Sequence, residues 1–187
     1  MNPLVLLAKS AVEHFIEQGK IISLPDSLLP KEFLSRKAGT FVTIEKNGAL
    51  RGCVGTYLPT KENIAKEVIQ NAISAVAHDY RFEPVKKEEL AELSYTVYIL
   101  SEPEAVKDSF ELDPEKFGVM VKSRGFSSPD AIFNPAPKPY QKTGILLPDL
   151  EGIDSIDKQI SIACQKAGIN RALEDIEIYK FSVEKIK

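Results

Sequence analysis

The chain has 187 residues, 43% hydrophobic and 27% charged, with a formal net charge of −3. That length suits one domain or two small subdomains sharing a core. The composition is that of a globular protein, and its acidic balance disfavours nucleic acid or an anionic membrane as a dedicated partner.

Asn2-Pro3 is a helix start, a capping residue followed by a proline in the first turn. Leu4, Leu7, Ala8, Ala11, Val12, Phe15 and Ile16 then form an apolar face that stops at Gly19. With Lys9, Glu13 and His14 among them and no small-residue cleavage site, these residues read as an amphipathic helix rather than a signal peptide. Residues 21–30 are a proline-punctuated connector. Residues 39–46 alternate as a strand, Asn47-Gly48 is a hairpin turn, and a second strand returns from Leu50.

Pro59-Thr60 opens a second helix running to about Ala77, with Ile64, Val68, Ile69, Ala72, Ile73 and Val76 on its buried side. Glu67, Asn71, Ser74 and His78 form a polar stripe on the same helix. A polar loop, residues 78–84, and a charged helical stretch, residues 86–92, lead to a strand at 93–100. Residues 117–122 and 144–147 look like the arms of another hairpin, joined by a long, proline-rich segment, residues 123–143. Asp154 is placed to cap a third helix that ends before Gly168, and residues 176–183 finish as an alternating strand. Helices and hairpins interleave without a βαβ repeat. The expected class is therefore α+β, with mixed helices, mainly antiparallel sheets and two subdomains sharing an interface.

No apolar run approaches the roughly 20 residues of a membrane-spanning helix. Cys53, Cys164, His14 and His78 are the only cysteines and histidines. They cannot make a Cys/His zinc site with paired Cys-x-x-Cys spacing, or a cysteine-ligated iron–sulfur cluster. No metal site or cofactor is expected on the chain. Two isolated thiols fit a reducing compartment, most simply the cytoplasm.

The segment Leu50-Arg51-Gly52-Cys53-Val54-Gly55-Thr56-Tyr57 is the strongest candidate for chemistry. If the strand is regular, Arg51 and Cys53 share a face, and a guanidinium beside a thiol favours the reactive thiolate. Cys53 can be a nucleophile or radical relay, a sulfur that orients a ligand, or a small residue buried between glycines. Arg51 can bind an anion or brace the loop. Gly52 and Gly55 allow unusual backbone angles or close approach, and Thr56 supplies a hydroxyl or continues the strand. His78 could pair with Cys53 as a thiol–imidazole dyad, or serve only as a charge at a helix C-terminus. Asp79 and Arg81 form a local ion pair or line the same cleft as Arg51. Cys164 reads as core. Lys122, Arg124, Phe126, Phe133, Lys138, Tyr140 and Lys142 interleave basic and aromatic residues in or beside the long segment, a pattern of single-strand nucleic-acid binders or of a partner-docking loop.

Arg51-Gly52-Cys53-Val54-Gly55 resembles the Arg-Gly-Cys-(Ile/Val)-Gly signature of the AMMECR family. The run from Ser74-Ala75 to Arg81-Phe82 with Pro84, then Leu93-Ser94-Tyr95-Thr96-Val97, Gly118-Val119-Met120-Val121 and Gly144-Ile145-Leu146-Leu147-Pro148-Asp149, resembles later segments of that family in order. The resemblance implies a single domain over residues 1–187, with an inner subdomain at about 38–92. The ending Leu147-Pro148-Asp149-Leu150-Glu151-Gly152-Ile153-Asp154, with Ala163-Cys164-Gln165-Lys166-Ala167-Gly168-Ile169, is most similar to the branch called the A component of the AmmeMemoRadiSam system. That likeness implies a Memo-like protein and a radical-SAM protein as partners. The family's reaction is not established, and the reading that the arginine–cysteine pairing favours is a cleft in which Cys53 and Arg51, with Arg81, bind or modify an anionic small molecule or protein substrate. A non-catalytic protein- or anion-binding module is the alternative, and a nucleic-acid binder the weaker one. The chain departs from the family in its long 123–143 segment, where the family hairpin closes with a shorter loop.

Overall fold

The structure is a computed structural model that describes residues 2–24, 29–123 and 142–187. The long segment singled out above lies outside the described residues, except for its ends. The chain divides into two compact units, Met1–Ser101 with Glu184–Lys187, and Glu102–Val183. Residues 38–92 fall within the first.

The first unit opens with α1 (Pro3–Gln18). Asn2 caps it, its side-chain oxygen accepting the Leu4 amide at 3.0 Å. Gly19, at φ 68°, closes it in the left-handed region that a side chain disfavours. A short α2 (Lys31–Ser35) precedes the hairpin of β1 (Thr40–Lys46) and β2 (Ala49–Thr56). Asn47 and Gly48 both have positive φ, 51° and 81°, as a two-residue turn of this hand requires. Helix α3 (Ile64–Ala77), a 3-10 turn at Lys87–Glu92 and β3 (Leu93–Leu100) follow. The four-stranded antiparallel sheet has the order β2-β1-β3-β8, its last member being β8 (Val183–Ile186), so β2 is an edge.

Alternation along β1 and β3 sends Val42, Ile44, Val97 and Ile99 to one face, where α1 and α3 cover them with Leu4, Ala8, Val12, Val68, Ala72 and Val76. Each leucine, valine or isoleucine among them contributes about 1.5–3 kcal/mol on burial, enough to fix which face of the sheet the helices take.

In the second unit, β4 (Glu104–Ala105), β5 (Gly118–Ser123), β6 (Thr143–Leu146) and β7 (Ile176–Phe181) form a sheet in the order β4-β7-β5-β6. Helix α4 (Ile156–Ala167) packs on β5 and β6 through Ile160, Ala163 and Cys164. Its cap is Ser155, whose hydroxyl accepts the Lys158 amide, one residue beyond the expected Asp154. The α+β class and the antiparallel hairpins are as expected from the sequence.

Helix α3 starts later than the Pro59-Thr60 signal suggested. Asn63 is its cap, and residues 59–62 lie outside the helix. The reason is Glu67. It is fully buried, and its carboxylate accepts the amides of Thr60 and Lys61 at 2.7 Å each and the hydroxyls of Thr56 and Thr60 at 2.7 and 2.8 Å. Asn71, one turn on, is also buried and donates to Thr40 of β1. Half of the polar stripe thus faces inward, fully hydrogen-bonded to the hairpin it packs against.

A clamped cysteine as candidate functional site

The hairpin begins in the regular register of a two-residue turn, Lys46 opposite Ala49 and Glu45 opposite Leu50, and then slips. Ile44 pairs with Gly52 and Thr43 with Cys53, leaving Arg51 as an extra residue with no partner on β1. Such a bulge exchanges the faces of every residue beyond it. Gly52, Val54 and Thr56 therefore turn toward α3, and Cys53 toward the opposite face beside Thr43. The regular strand assumed for an Arg51–Cys53 pair does not form.

Cys53 is half-buried. Its amide donates to Oδ2 of Asp79 at 2.9 Å, and its carbonyl accepts from Nη2 of Arg81 at 3.1 Å. Both groups therefore point outward from the edge strand, and the loop after α3 occupies the position of a neighbouring strand. Thr43 and Cys53 are then a pair whose side chains stand close together, and the Thr43 hydroxyl donates to Sγ at 3.2 Å.

Asp79 and Arg81 bind each other as well, Nε to Oδ1 at 2.9 Å and Nη2 to Oδ2 at 2.6 Å. The Arg81 guanidinium is the main reason that the Asp79 carboxyl is held down at about 2. The amides of Cys53 and Arg81 add to this, against the opposing effect of burial. Arg81 is raised in turn by Asp79, and its guanidinium lies 5.4 Å from the centre of the Phe82 ring. Of the two readings of these residues, the local ion pair is present, and it also holds the backbone of Cys53.

Arg51 is engaged by a second carboxylate. Its Nε and Nη2 reach the two oxygens of Glu89 at 3.1 and 3.0 Å, and Nη1 donates to the Glu83 carbonyl at 2.9 Å. Arg51, the Lys86 amide and Lys46 hold Glu89 down at about 2. The arginine is a brace between the bulge and the 3-10 turn.

The two glycines have ordinary backbone angles, since positive φ among described glycines occurs at 19, 48, 152 and 168. What they permit is close approach. A Cβ on Gly52 would stand 2.2 Å from the Ala75 carbonyl oxygen of α3, and one on Gly55 would stand 2.2 Å from the Phe41 ring. The Thr56 hydroxyl is directed to Glu67. His78 is the exposed C-cap of α3, its backbone amide bonded to Ser74. Among the described residues its side chain makes no hydrogen bond to Cys53. Cys164 is core, as expected, and burial pushes its thiol up.

Thr43, Glu67 and Glu89 escape a reading by motif. Thr43 is an unremarked polar residue in an alternating strand, and the turn's regular register would place it opposite Gly52. Only the bulge sets it beside the sulfur. Among the described residues, no group of three or more His, Cys, Asp and Glu side chains is placed to hold a metal ion, and no helix is long and apolar enough to cross a membrane.

The fold and site define an α+β protein whose Arg-Gly-Cys segment is an edge strand held by an Asp-x-Arg loop. The AMMECR1 family model matches residues 5–186, and the chain belongs to that family. A protein of Thermotoga maritima is 45% identical over 187 residues, which is all of this chain and 98% of that protein. A Clostridium acetobutylicum protein, CA_C1420, is 38% identical over 186 residues, and the match covers 36% of its length. The crystal structure of PH0010 from Pyrococcus horikoshii is similar with a TM-score of 0.80 at 28% identity, covering 97% of this chain and 88% of that one.

Proposed function

We propose that this chain is the cytoplasmic component of a modification system that also contains a Memo-like protein and a radical-SAM protein, and that Cys53 is its reacting group. The observation that carries the reading is the clamp. Two charged side chains from a distant loop hold one amide and one carbonyl, those of Cys53, and so fix the direction of a half-buried thiol. A cysteine that served only as filler between glycines would need no such support. The sulfur would form a bond to an electrophilic carbon of the substrate, its proton passing to solvent and the leaving group departing with the bonding electrons. Arg81, whose side chain is 43% exposed against 16% for Arg51, is the better candidate for an anionic part of that substrate. The relative in which this domain is about a third of the polypeptide supports a role joined to other protein. The radical chemistry would belong to the partner.

The test is to incubate the chain with both partners, S-adenosylmethionine and a reductant, and to map its mass by peptide. A mass increment on the Cys53 peptide, absent in Cys53→Ala, is the expected result. A second reading, a non-catalytic binding module, is favoured by the Arg51–Glu89 pairing, which leaves that cation compensated within the chain. It prevails if Cys53 stays unmodified and Cys53→Ala binds the partners as wild type does.

A further inference from the structure

We propose that Thr43 is the positioning residue of the Cys53 sulfur, so that the thiol's reactivity depends on the Thr43 hydroxyl. The inference rests on the reading of Cys53 as the reacting group and adds to it a residue on another strand. Its hydroxyl donates to Sγ at 3.2 Å, and the two residues are cross-strand partners on β1 and β2. The bulge at Arg51 creates this pairing, and the Asp79–Arg81 clamp holds it by fixing the Cys53 backbone. A donor aimed at sulfur favours the thiolate, the form that attacks an electrophile.

The elements beside Cys53 carry other polar groups. Asp79 and Arg81 lie on the loop after α3 with Tyr80 between them, and Arg51 on β2 is paired to Glu89 of the 3-10 turn. On β3 the residue opposite Thr43 is Thr96, which carries no charge. Arg81, besides its pair with Asp79, also interacts with Cys53 through its charge, and among the described residues the Thr43 hydroxyl is the hydrogen-bond donor to the sulfur.

The experiment is the rate of alkylation by iodoacetamide as a function of pH in the full chain, read by mass spectrometry. Buried Cys164 is the control for intact packing. In this reaction a sulfur–carbon bond forms, iodide leaves with the carbon–iodine electron pair, and the thiol proton passes to water. Thr43→Val keeps the β-branched shape and removes the donor. It should slow Cys53 by about two- to threefold near neutral pH and move the midpoint of the profile upward. The high-pH plateau should be unchanged or higher, because a less stabilised thiolate is the better nucleophile. Thr43→Ser should retain the wild-type profile. Should Thr43→Val lose its fold by circular dichroism, Thr43→Ala takes its place.

An unmoved midpoint in the donor-less variant, or an equal shift in Thr43→Ser, overturns the role of Thr43 while leaving Cys53 as the reacting group. An inert wild-type Cys53 instead overturns the reading beneath it.

Discussion

The amide of Cys53 donates to the carboxylate of Asp79, 26 residues further along the chain, at 2.9 Å. Because β2 is an edge strand, this amide would otherwise face water or a foreign strand. The side chain of Asp79 stands where a neighbouring strand's carbonyl would, and Arg81 supplies the matching donor. Asp79→Asn keeps the size but removes the charge, weakening both the bond to Cys53 and the pair with Arg81. We expect a loss of about 2 kcal/mol in urea unfolding, with slower alkylation of Cys53 near neutral pH as its strand loosens and the Thr43 bond weakens. Unchanged stability and unchanged alkylation would refute the clamp.

Acid should release the two carboxylates in the same pH range. Asp79 and Glu89 titrate at about 2 in the folded chain, below the 3.8 and 4.5 from which they are shifted. A depressed folded value means the unfolded state binds protons first as pH falls. The stabilisation is therefore complete above about 4.5 and declines toward pH 2. The urea midpoint measured between pH 7 and pH 2.5 should fall mainly below pH 4.5. In Asp79→Asn with Glu89→Gln, that part of the slope should flatten.

Gly52 and Gly55 should respond unequally to a single methyl. In Gly52→Ala the new carbon meets the Ala75 carbonyl oxygen, part of a helix backbone that cannot rotate away. The expected cost is about 2–3 kcal/mol or more. In Gly55→Ala the nearest atom is Cγ of Phe41, which a change of that side chain's first torsion can move, although the Thr40 carbonyl oxygen at 2.5 Å limits the relief. Thermal unfolding of the two variants should rank Gly52→Ala as the less stable, and the reverse order would contradict the close helix–strand packing.

Glu67→Ala removes the acceptor of four hydrogen bonds inside the protein. Leaving these donors without a partner should cost about 3 kcal/mol in unfolding free energy. Amide exchange at Thr60 and Lys61 should accelerate more than exchange in the middle of α3. Uniform acceleration would point to general destabilisation instead of release of this loop.

The parts of the fold that rest on neighbours in sequence were legible in the sequence. Asn2, Gly19, Asn47-Gly48 and Gly168 work through the backbone within a few residues, and the apolar faces of α1 and α3 follow from helical spacing. The end of α3 at His78 was likewise readable, while its start was not. Pro59-Thr60 is a sound local signal, but the buried Glu67 draws those residues into a loop around its carboxylate. That outcome depends on the Thr56 hydroxyl at the end of β2 together with the donors of Thr60 and Lys61.

The same division runs through the candidate site. Sequence alone determined that Arg51, Gly52, Cys53 and Gly55 would lie on a strand after a tight turn, and that Asp79 and Arg81 would share a loop. It could not determine which way the thiol points. Strand side chains alternate with a period of two, so one extra residue at Arg51 reverses the face of each one that follows. Gly52 inside the strand hints at a bulge without placing it. The bulge is set by Gly52 meeting the α3 backbone, by Glu89 drawing Arg51 aside, and by Asp79 and Arg81 holding the Cys53 backbone. All three are contacts between residues far apart in the chain, and only the tertiary structure brings Thr43 to the sulfur.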